Sequence, residues 1–311
     1  MLVGVGLLAG TAFASNEEQM QSQEKSLLIK GRIHRFDTGE NNRLPRPKHH
    51  ARAVPLLHNP ACNSADLGID KEWLKSFHDI KKNAEKAKPA PLGESELQRL
   101  SKYDISILLD RSGSMNEELD RFQMGGRVSR WEWCRQQAES LSKQIASVFP
   151  SGITVLPFSN HADRYTNVSA AGLNRIFIAT EPEGSTMLDE AVGLELDHFL
   201  FNRSTGRSKK PLLMVVITDG SPNDPQKVVD EILHVSRKIE RDEVKIVFFM
   251  IGDDPMSLAF IDYIKSSRIE AGIAFDIVSS HPFPELRAHG LARSLANALE
   301  APVARVAEHS R

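Results

Sequence analysis

The sequence predicts a three-layer α/β protein in which helices cover both faces of a doubly wound, mostly parallel sheet. Two observations lead to this fold class. Most apolar runs after Tyr103 are continuous, as strands buried on both faces of a sheet must be. These runs alternate with segments of helical periodicity, which is the order of strand–helix–strand units. We expect right-handed crossovers between the parallel strands.

The predicted strands are the short apolar runs at 105–109, 153–158, 212–218, 245–251 and 274–278. The predicted helices between and after them are 131–149, 187–201, 225–241, 256–267 and 283–300. In open sheets of this kind, ligands bind beyond the carboxyl ends of the strands, where the strand order reverses. The loops that follow the strands are therefore the place to look for a functional site.

The chain before Tyr103 has a different character. Residues 1–14 form an apolar, signal-like segment that ends in Ala12-Phe13-Ala14, a pattern that fits a cleavage site, although no Lys or Arg precedes it. The segment is too short to span a bilayer as a helix. Two locations therefore stay open: a cytoplasmic protein, or one exported after cleavage near Ala14.

The remaining organisation follows from composition. Residues 15–100 form an N-terminal extension that is polar and rich in proline, so we expect it to be partly disordered. Within it, residues 70–88 have the spacing of one amphipathic helix. The predicted folded domain spans 101–300, and residues 301–311 form a C-terminal tail.

Composition excludes several classes of protein. The 311 residues carry a net charge of −2, which gives no signal for nucleic-acid binding. The basic stretch 43–58 lacks the interleaved aromatic residues that stack on bases. The two cysteines, Cys62 and Cys134, cannot build a disulfide framework or a cysteine-based zinc site. We expect both thiols to be free and Cys134 to be buried in a helix.

Oxygen-bearing side chains follow the predicted strands. The first strand ends in Asp110-Arg111-Ser112-Gly113-Ser114, and the strand at 212–218 is followed by Asp219-Gly220. Between them, Gly184-Ser185-Thr186 opens a helix. Hard oxygen ligands with no Cys or His suit Mg²⁺, Mn²⁺ or Ca²⁺ and not zinc. These three loops therefore predict a site for a hard divalent cation.

The combination of D-x-S-x-S, a threonine in a G-S-T turn and T-D-G after a strand resembles the von Willebrand factor A (VWA) family. The similarity covers about 103–299. The resemblance implies a metal ion-dependent adhesion site (MIDAS), whose five positions here are Asp110, Ser112, Ser114, Thr186 and Asp219. The resemblance implies a Rossmann-like fold in which Ser112, Ser114 and Thr186 are direct ligands or close supports. It implies that Asp110 and Asp219 act through water or as hydrogen-bond acceptors. One departure is the stretch 116–130, which is longer and more polar than is common in the family.

The resemblance also implies a function. A divalent cation, Mg²⁺ first with Mn²⁺ or Ca²⁺ as alternatives, would accept an acidic side chain of a partner protein. One alternative is a Mg²⁺-dependent hydrolase or phosphoryl-transfer enzyme, which is disfavoured because the sequence has no P-loop and no G-x-S-x-G motif. Another is a scaffold protein with a purely structural metal. We therefore predict a non-enzymatic module without an organic cofactor, and no membrane partner apart from the signal-like segment.

Overall fold

A computed structural model of the chain describes residues 32–35, 91–119, 128–252, 254–271, 273 and 276–300. The signal-like segment at 1–14, the predicted helix at 70–88, Cys62 and the tail at 301–311 lie outside the described residues.

Within the described residues, the centre of the molecule is a seven-stranded sheet with the order β1-β4-β3-β2-β5-β6-β7. Neighbouring strands run parallel except β3 and β4, which are antiparallel. This confirms the predicted mostly parallel sheet. The strands are β1 Arg32–Arg35, β2 Asp104–Asp110, β3 Ile153–Phe158, β4 Asp163–Val168, β5 Leu212–Thr218, β6 Val244–Met250 and β7 Val278–His281.

Helices cover both faces of the sheet. They are α1 Glu94–Leu100, α2 Arg130–Ile145, α3 Ala170–Ala179, α4 Leu188–Ser204, α5 Pro225–Ser236, α6 Pro255–Glu270 and α7 Phe283–Glu300. Buried side chains of α1, α2, α3 and α7 share one core cluster, and those of α4, α5 and α6 share the other. Among the described residues, no helix is long and apolar enough to cross a membrane.

The two cores explain the continuous apolar runs. Successive side chains of a strand point to opposite faces of the sheet, so a strand covered on both faces needs an apolar residue at nearly every position. Phe248 packs in the cluster with α4, α5 and α6, while its neighbour Phe249 packs in the other cluster. All seven residues of β5 are buried. The fold thus rests on the pattern from which it was predicted.

Several features differ from the sequence-based expectation. Strand β4 and helix α3 were not predicted, and α5 ends at Ser236 instead of residue 241. The last strand begins at Val278, where the predicted run at 274–278 ends, because β7 is a half-buried edge strand with polar residues. The N-terminal extension also contributes β1, which pairs in parallel with β4.

The topology brings two loops together. From β2 the chain moves outward to β3 and β4, then returns to β5 on the other side of β2 and continues to β6 and β7. The strand order therefore reverses between β2 and β5, which pair in parallel. Their carboxyl ends, Asp110 and Thr218, lie side by side at the switch point where such sheets bind ligands.

Candidate metal centre

Asp110 organises the loop that follows β2. Its side chain is fully buried. Oδ1 accepts a hydrogen bond from the Ser112 backbone N–H at 2.7 Å, and Oδ2 accepts one from the Thr218 hydroxyl at 2.6 Å. The first bond is the local turn that an aspartate makes with the backbone two residues on. The second ties the loop to the end of β5.

Two serine hydroxyls extend this network across the loops. Ser112 precedes a short 3₁₀ turn, Gly113–Asn116, and Ser114 lies within it. Their Oγ atoms are 3.1 Å apart. The Ser114 hydroxyl donates to Asp219 Oδ1 at 2.9 Å. Four of the five predicted residues therefore form one hydrogen-bonded group of oxygen-bearing side chains.

The loop that carries Thr186 is held against both other loops. The Glu183 N–H donates to the Arg111 carbonyl at 2.7 Å, and the Gly113 N–H donates to the Gly184 carbonyl at 3.2 Å. The Thr186 N–H donates to Asn223 Oδ1 at 3.0 Å, and the Asn223 N–H returns a bond to the Thr186 carbonyl at 3.0 Å. Thr186 is thus fixed beside the loop that follows Asp219.

Asn160 supports the same turn from the loop after β3. Its Oδ1 accepts from the Ser185 N–H at 3.0 Å and from the Ser185 hydroxyl at 2.7 Å. Gly184 has a φ of 82°, and a Cβ there would lie 2.7 Å from Asn160 Nδ2. Sequence reasoning missed both Asn160 and Asn223. The available signal was an asparagine just beyond a strand, in a loop facing the predicted site.

The two carboxylates of the centre, Asp110 and Asp219, have raised pKa values. Burial, and next the charge of Asp219, raise the pKa of Asp110 to about 6. Burial also raises the pKa of Asp219, while Arg130 acts in the opposite direction. Two buried carboxylates that repel each other, surrounded by hydroxyl oxygens, fit a hard divalent cation. Among the described residues, no cluster of three or more His, Cys, Asp or Glu side chains could hold a metal.

Cys134, which was predicted to be free and buried, lies close to these carboxylates. Cys134 is a free, fully buried residue of α2, as predicted. Burial, followed by the charges of Asp219 and Asp110, raises the pKa of its thiol well above the usual value. The thiol therefore stays protonated, since a thiolate would face two negative charges in a low-dielectric region.

Arg130 is the charged residue of the centre that sequence reasoning missed. Its Nη1 donates to Asp219 Oδ2 at 2.7 Å and to the Ser114 carbonyl at 3.2 Å, and lies 2.9 Å from Glu117 Oε2. Arg130 is the first residue of α2, where the helix dipole disfavours a positive charge. An arginine at that position was the signal that an acidic partner lay nearby.

The polar stretch at 116–130 emerges next to the centre. Glu118 and Ser129 form an antiparallel bridge, and the Leu119 N–H donates to the Val128 carbonyl at 2.9 Å. The Arg130 N–H donates to the Glu117 carbonyl at 3.0 Å. The two ends of the stretch are therefore paired, and residues 120–127 lie outside the described residues.

The family model of the von Willebrand factor type A domain matches residues 104–266, about half of the chain. The chain belongs to this family. VWA domains are generally non-enzymatic interaction modules and are commonly metal-dependent. The match includes the three loops that form the candidate centre. A search of curated protein sequences gives no significant match.

Solved structures with a similar chain path have low sequence identity. The PilB minor pilin from Streptococcus sanguinis is 15% identical, with 64% of this chain and 61% of the pilin covered and a TM-score of 0.41. The manganese-loaded TRAP protein from Plasmodium vivax is 17% identical, with 66% and 77% covered and a TM-score of 0.40. Proximal thread matrix protein 1 from the mussel byssus is 15% identical, with 63% and 47% covered and a TM-score of 0.39. This chain thus spans about three fifths of the length of the pilin.

Proposed function

We propose that this chain is a metal-dependent protein-binding module in which a divalent cation accepts an acidic side chain of the partner. The observation that carries the proposal is the connected group formed by Asp110, Ser112, Ser114 and Asp219, drawn from two adjacent loops. The third loop, with Thr186, is bound to both. Mg²⁺ is the first candidate, and Mn²⁺ and Ca²⁺ are the alternatives.

The hydrogen bonds support a division of roles among the five residues. Both carboxylate oxygens of Asp110 already accept hydrogen bonds, from the Ser112 N–H and the Thr218 hydroxyl. Asp110 would therefore act on the cation through water or by orienting the serine loop. The hydroxyls of Ser112, Ser114 and Thr186 would be the direct ligands. Neutral direct ligands leave the cation with most of its charge, which favours binding of an outside carboxylate.

The position of the centre suits contact with a partner. Asp219 and Ser112 are buried, but Gly113, Glu183 and Gly184 around them are exposed. The ligating groups are thus held rigidly at the floor of an open surface. A partner carboxylate can reach the cation from solvent without a rearrangement of the sheet.

The test is capture of partners by the full chain from native extract, in parallel with Mg²⁺ and with EDTA. The proposal predicts proteins that bind wild type in Mg²⁺, are released by EDTA and do not bind Asp219→Asn. The matched control is Asp224→Asn, because Asp224 is an exposed helix cap and asparagine is an equally good cap. Excess acetate should compete with the captured proteins.

Two results would contradict this function. If EDTA leaves the retention of captured proteins unchanged, the cation takes no part in the interaction. A cation that raises the melting temperature while retention stays the same with and without it would show a structural metal and a scaffold role.

A further inference from the structure

The guanidinium of Arg130 lies within the candidate metal centre and bridges its two main loops. Its Nη1 contacts Asp219 Oδ2 at 2.7 Å, and it also reaches the carbonyl of Ser114, a residue of the other loop. The Arg130 side chain is only 19% exposed and that of Asp219 only 1%. This contact is therefore shielded from water, and its charge acts at close range.

Both carboxylate oxygens of Asp219 already accept hydrogen bonds. Oδ2 is taken by the guanidinium, and Oδ1 accepts from the Ser114 hydroxyl. The backbone after β6 closes in behind the guanidinium. Gly252 has a φ of 115°, and a Cβ there would lie 3.5 Å from Arg130 Nε. Arg130 is thus packed in place beside the carboxylate.

Arg130 also changes the formal charge of the cation-loaded centre. Asp110 and Asp219 are the two acidic residues of the centre, so a divalent cation alone would bring their formal sum to zero. Arg130 adds a positive charge, and Glu117 offsets it only weakly because its side chain is 64% exposed and screened by water. The cation-loaded centre therefore keeps a positive charge at the point where a partner would bind.

We propose that Arg130 is a specificity-determining residue that weakens cation binding and strengthens binding of an anionic partner group to the cation-loaded centre. This inference rests on the proposed function of the same site. Arg130 repels the incoming cation and attracts the outside carboxylate. Its removal should therefore shift the two affinities in opposite directions. A residue that merely clamps the two loops would weaken both when removed.

The experiment uses the full chain, stripped with EDTA and dialysed. Mn²⁺ affinity is measured by calorimetry, and acetate binding to the Mn²⁺-loaded protein by the loss of water proton relaxation enhancement. Arg130→Gln should bind Mn²⁺ about tenfold more tightly and acetate about fivefold more weakly than wild type. Arg130→Lys, which keeps the charge, should remain close to wild type in both.

Two further variants serve as controls. Arg135→Gln removes the same charge from the same helix, where Arg135 pairs with Glu132 and Glu139 away from the centre, and it should leave both affinities unchanged. Glu117→Gln removes the exposed negative charge beside Arg130. It should produce the reverse pattern to Arg130→Gln, weaker Mn²⁺ and tighter acetate by about twofold, and it tests the idea even if Arg130→Gln does not fold.

The outcomes separate this inference from the function on which it rests. Opposite shifts for Arg130→Gln, with the reverse in Glu117→Gln, support it. Wild-type values in Arg130→Gln, or a loss of both affinities, overturn it while the metal-binding function stands. A wild-type chain that takes up no Mn²⁺ overturns the proposed function itself.

Discussion

Two buried groups of charged side chains lie towards the two ends of β2 and differ in their charge balance. Near the amino end, Arg164 Nε donates to Glu195 Oε2 at 2.6 Å, and the Ser106 hydroxyl donates to Glu195 Oε1 at 2.5 Å. Arg164 and Glu195 are 4% and 3% exposed. At the carboxyl end, Asp219 pairs with the Arg130 guanidinium, whereas Asp110 accepts hydrogen bonds from two neutral donors, the Ser112 N–H and the Thr218 hydroxyl.

The two groups differ in whether their charges are balanced within the protein. The Arg164–Glu195 pair is neutral, so it needs no further ion to balance its charge. The carboxyl-end group has two carboxylates and one guanidinium, and burial first, then the charge of Asp219, raise the pKa of Asp110 to about 6. A buried charge without a partner is unfavourable, which supports the proposal that a cation binds at this end of the strand.

The largest expected effect comes from breaking the neutral pair. Glu195→Ala leaves the Arg164 guanidinium buried without its carboxylate and should lower the free energy of unfolding by about 3–5 kcal/mol. Urea denaturation followed by circular dichroism measures it. The control Glu139→Ala removes helical ion pairs with Lys143 and Arg135 and should leave the free energy of unfolding nearly unchanged, because water screens such pairs. A loss below about 1 kcal/mol in Glu195→Ala would show that the pair is not essential to the core.

The next effect concerns the cation. In wild type, Mg²⁺ at about 100 times its dissociation constant should stabilise the fold by about 2.7 kcal/mol. Asp110→Asn should lose this stabilisation, because asparagine replaces a negative charge of the centre by a neutral amide. Thermal unfolding with Mg²⁺ and with EDTA checks it. Glu195→Gln, at the neutral pair, should keep the full response to Mg²⁺, and a response that persists in Asp110→Asn would argue against the centre.

In the absence of metal, Asp110→Asn should also change how the free energy of unfolding depends on pH. The pKa of Asp110 is raised to about 6 in the folded chain from its ordinary value of 3.8, so its charge destabilises the fold above pH 6. That destabilisation disappears as the pH falls through 6 towards 4. In EDTA, the free energy of unfolding of Asp110→Asn should exceed that of wild type by about 3 kcal/mol at pH 8 and match it near pH 4. An advantage independent of pH, measured by urea denaturation, would contradict the charge imbalance.

A smaller effect compares two glycines with positive φ. Gly184 has a φ of 82° and faces Asn160, while Gly206, with a φ of 68°, follows α4 and has open space around its Cβ position. Both Gly→Ala variants should lose about 1 kcal/mol from the left-handed conformation. Only Gly184→Ala should also weaken Mg²⁺ binding, since it displaces Asn160 from the Thr186 turn. Equal Mg²⁺ affinities by calorimetry would show that this turn does not shape the centre.

Much of the fold could be predicted because its strands are buried on both faces. Strands β3 and β5 have the bounds that their apolar runs indicate. Strand β4 was missed because Arg164 and Asn167 interrupt its apolar pattern, and Arg164 is buried only through a partner on α4. Pairing between distant segments, such as β1 with β4, leaves no local signal in the sequence.

The candidate centre was predictable to a similar degree. Asp110, Ser112, Ser114 and Asp219 follow strand ends in a recognisable spacing, and the structure brings them together. Their assignment as metal-site residues, like that of Thr186, stays a prediction. Arg130 was missed because its position at the start of a helix indicates only that an acidic partner lies nearby, and that partner, Asp219, is 89 residues away in the chain. Only the topology shows that the start of α2 faces the end of β5.

The most direct test of the account is calorimetric titration of Mg²⁺ into the full chain after EDTA treatment and dialysis. The proposed metal centre predicts saturable uptake of a single cation per chain in wild type and none in Asp219→Ala. Absence of uptake in folded wild type, or equal uptake in Asp219→Ala, would contradict the claim that the carboxyl ends of β2 and β5 form a metal centre.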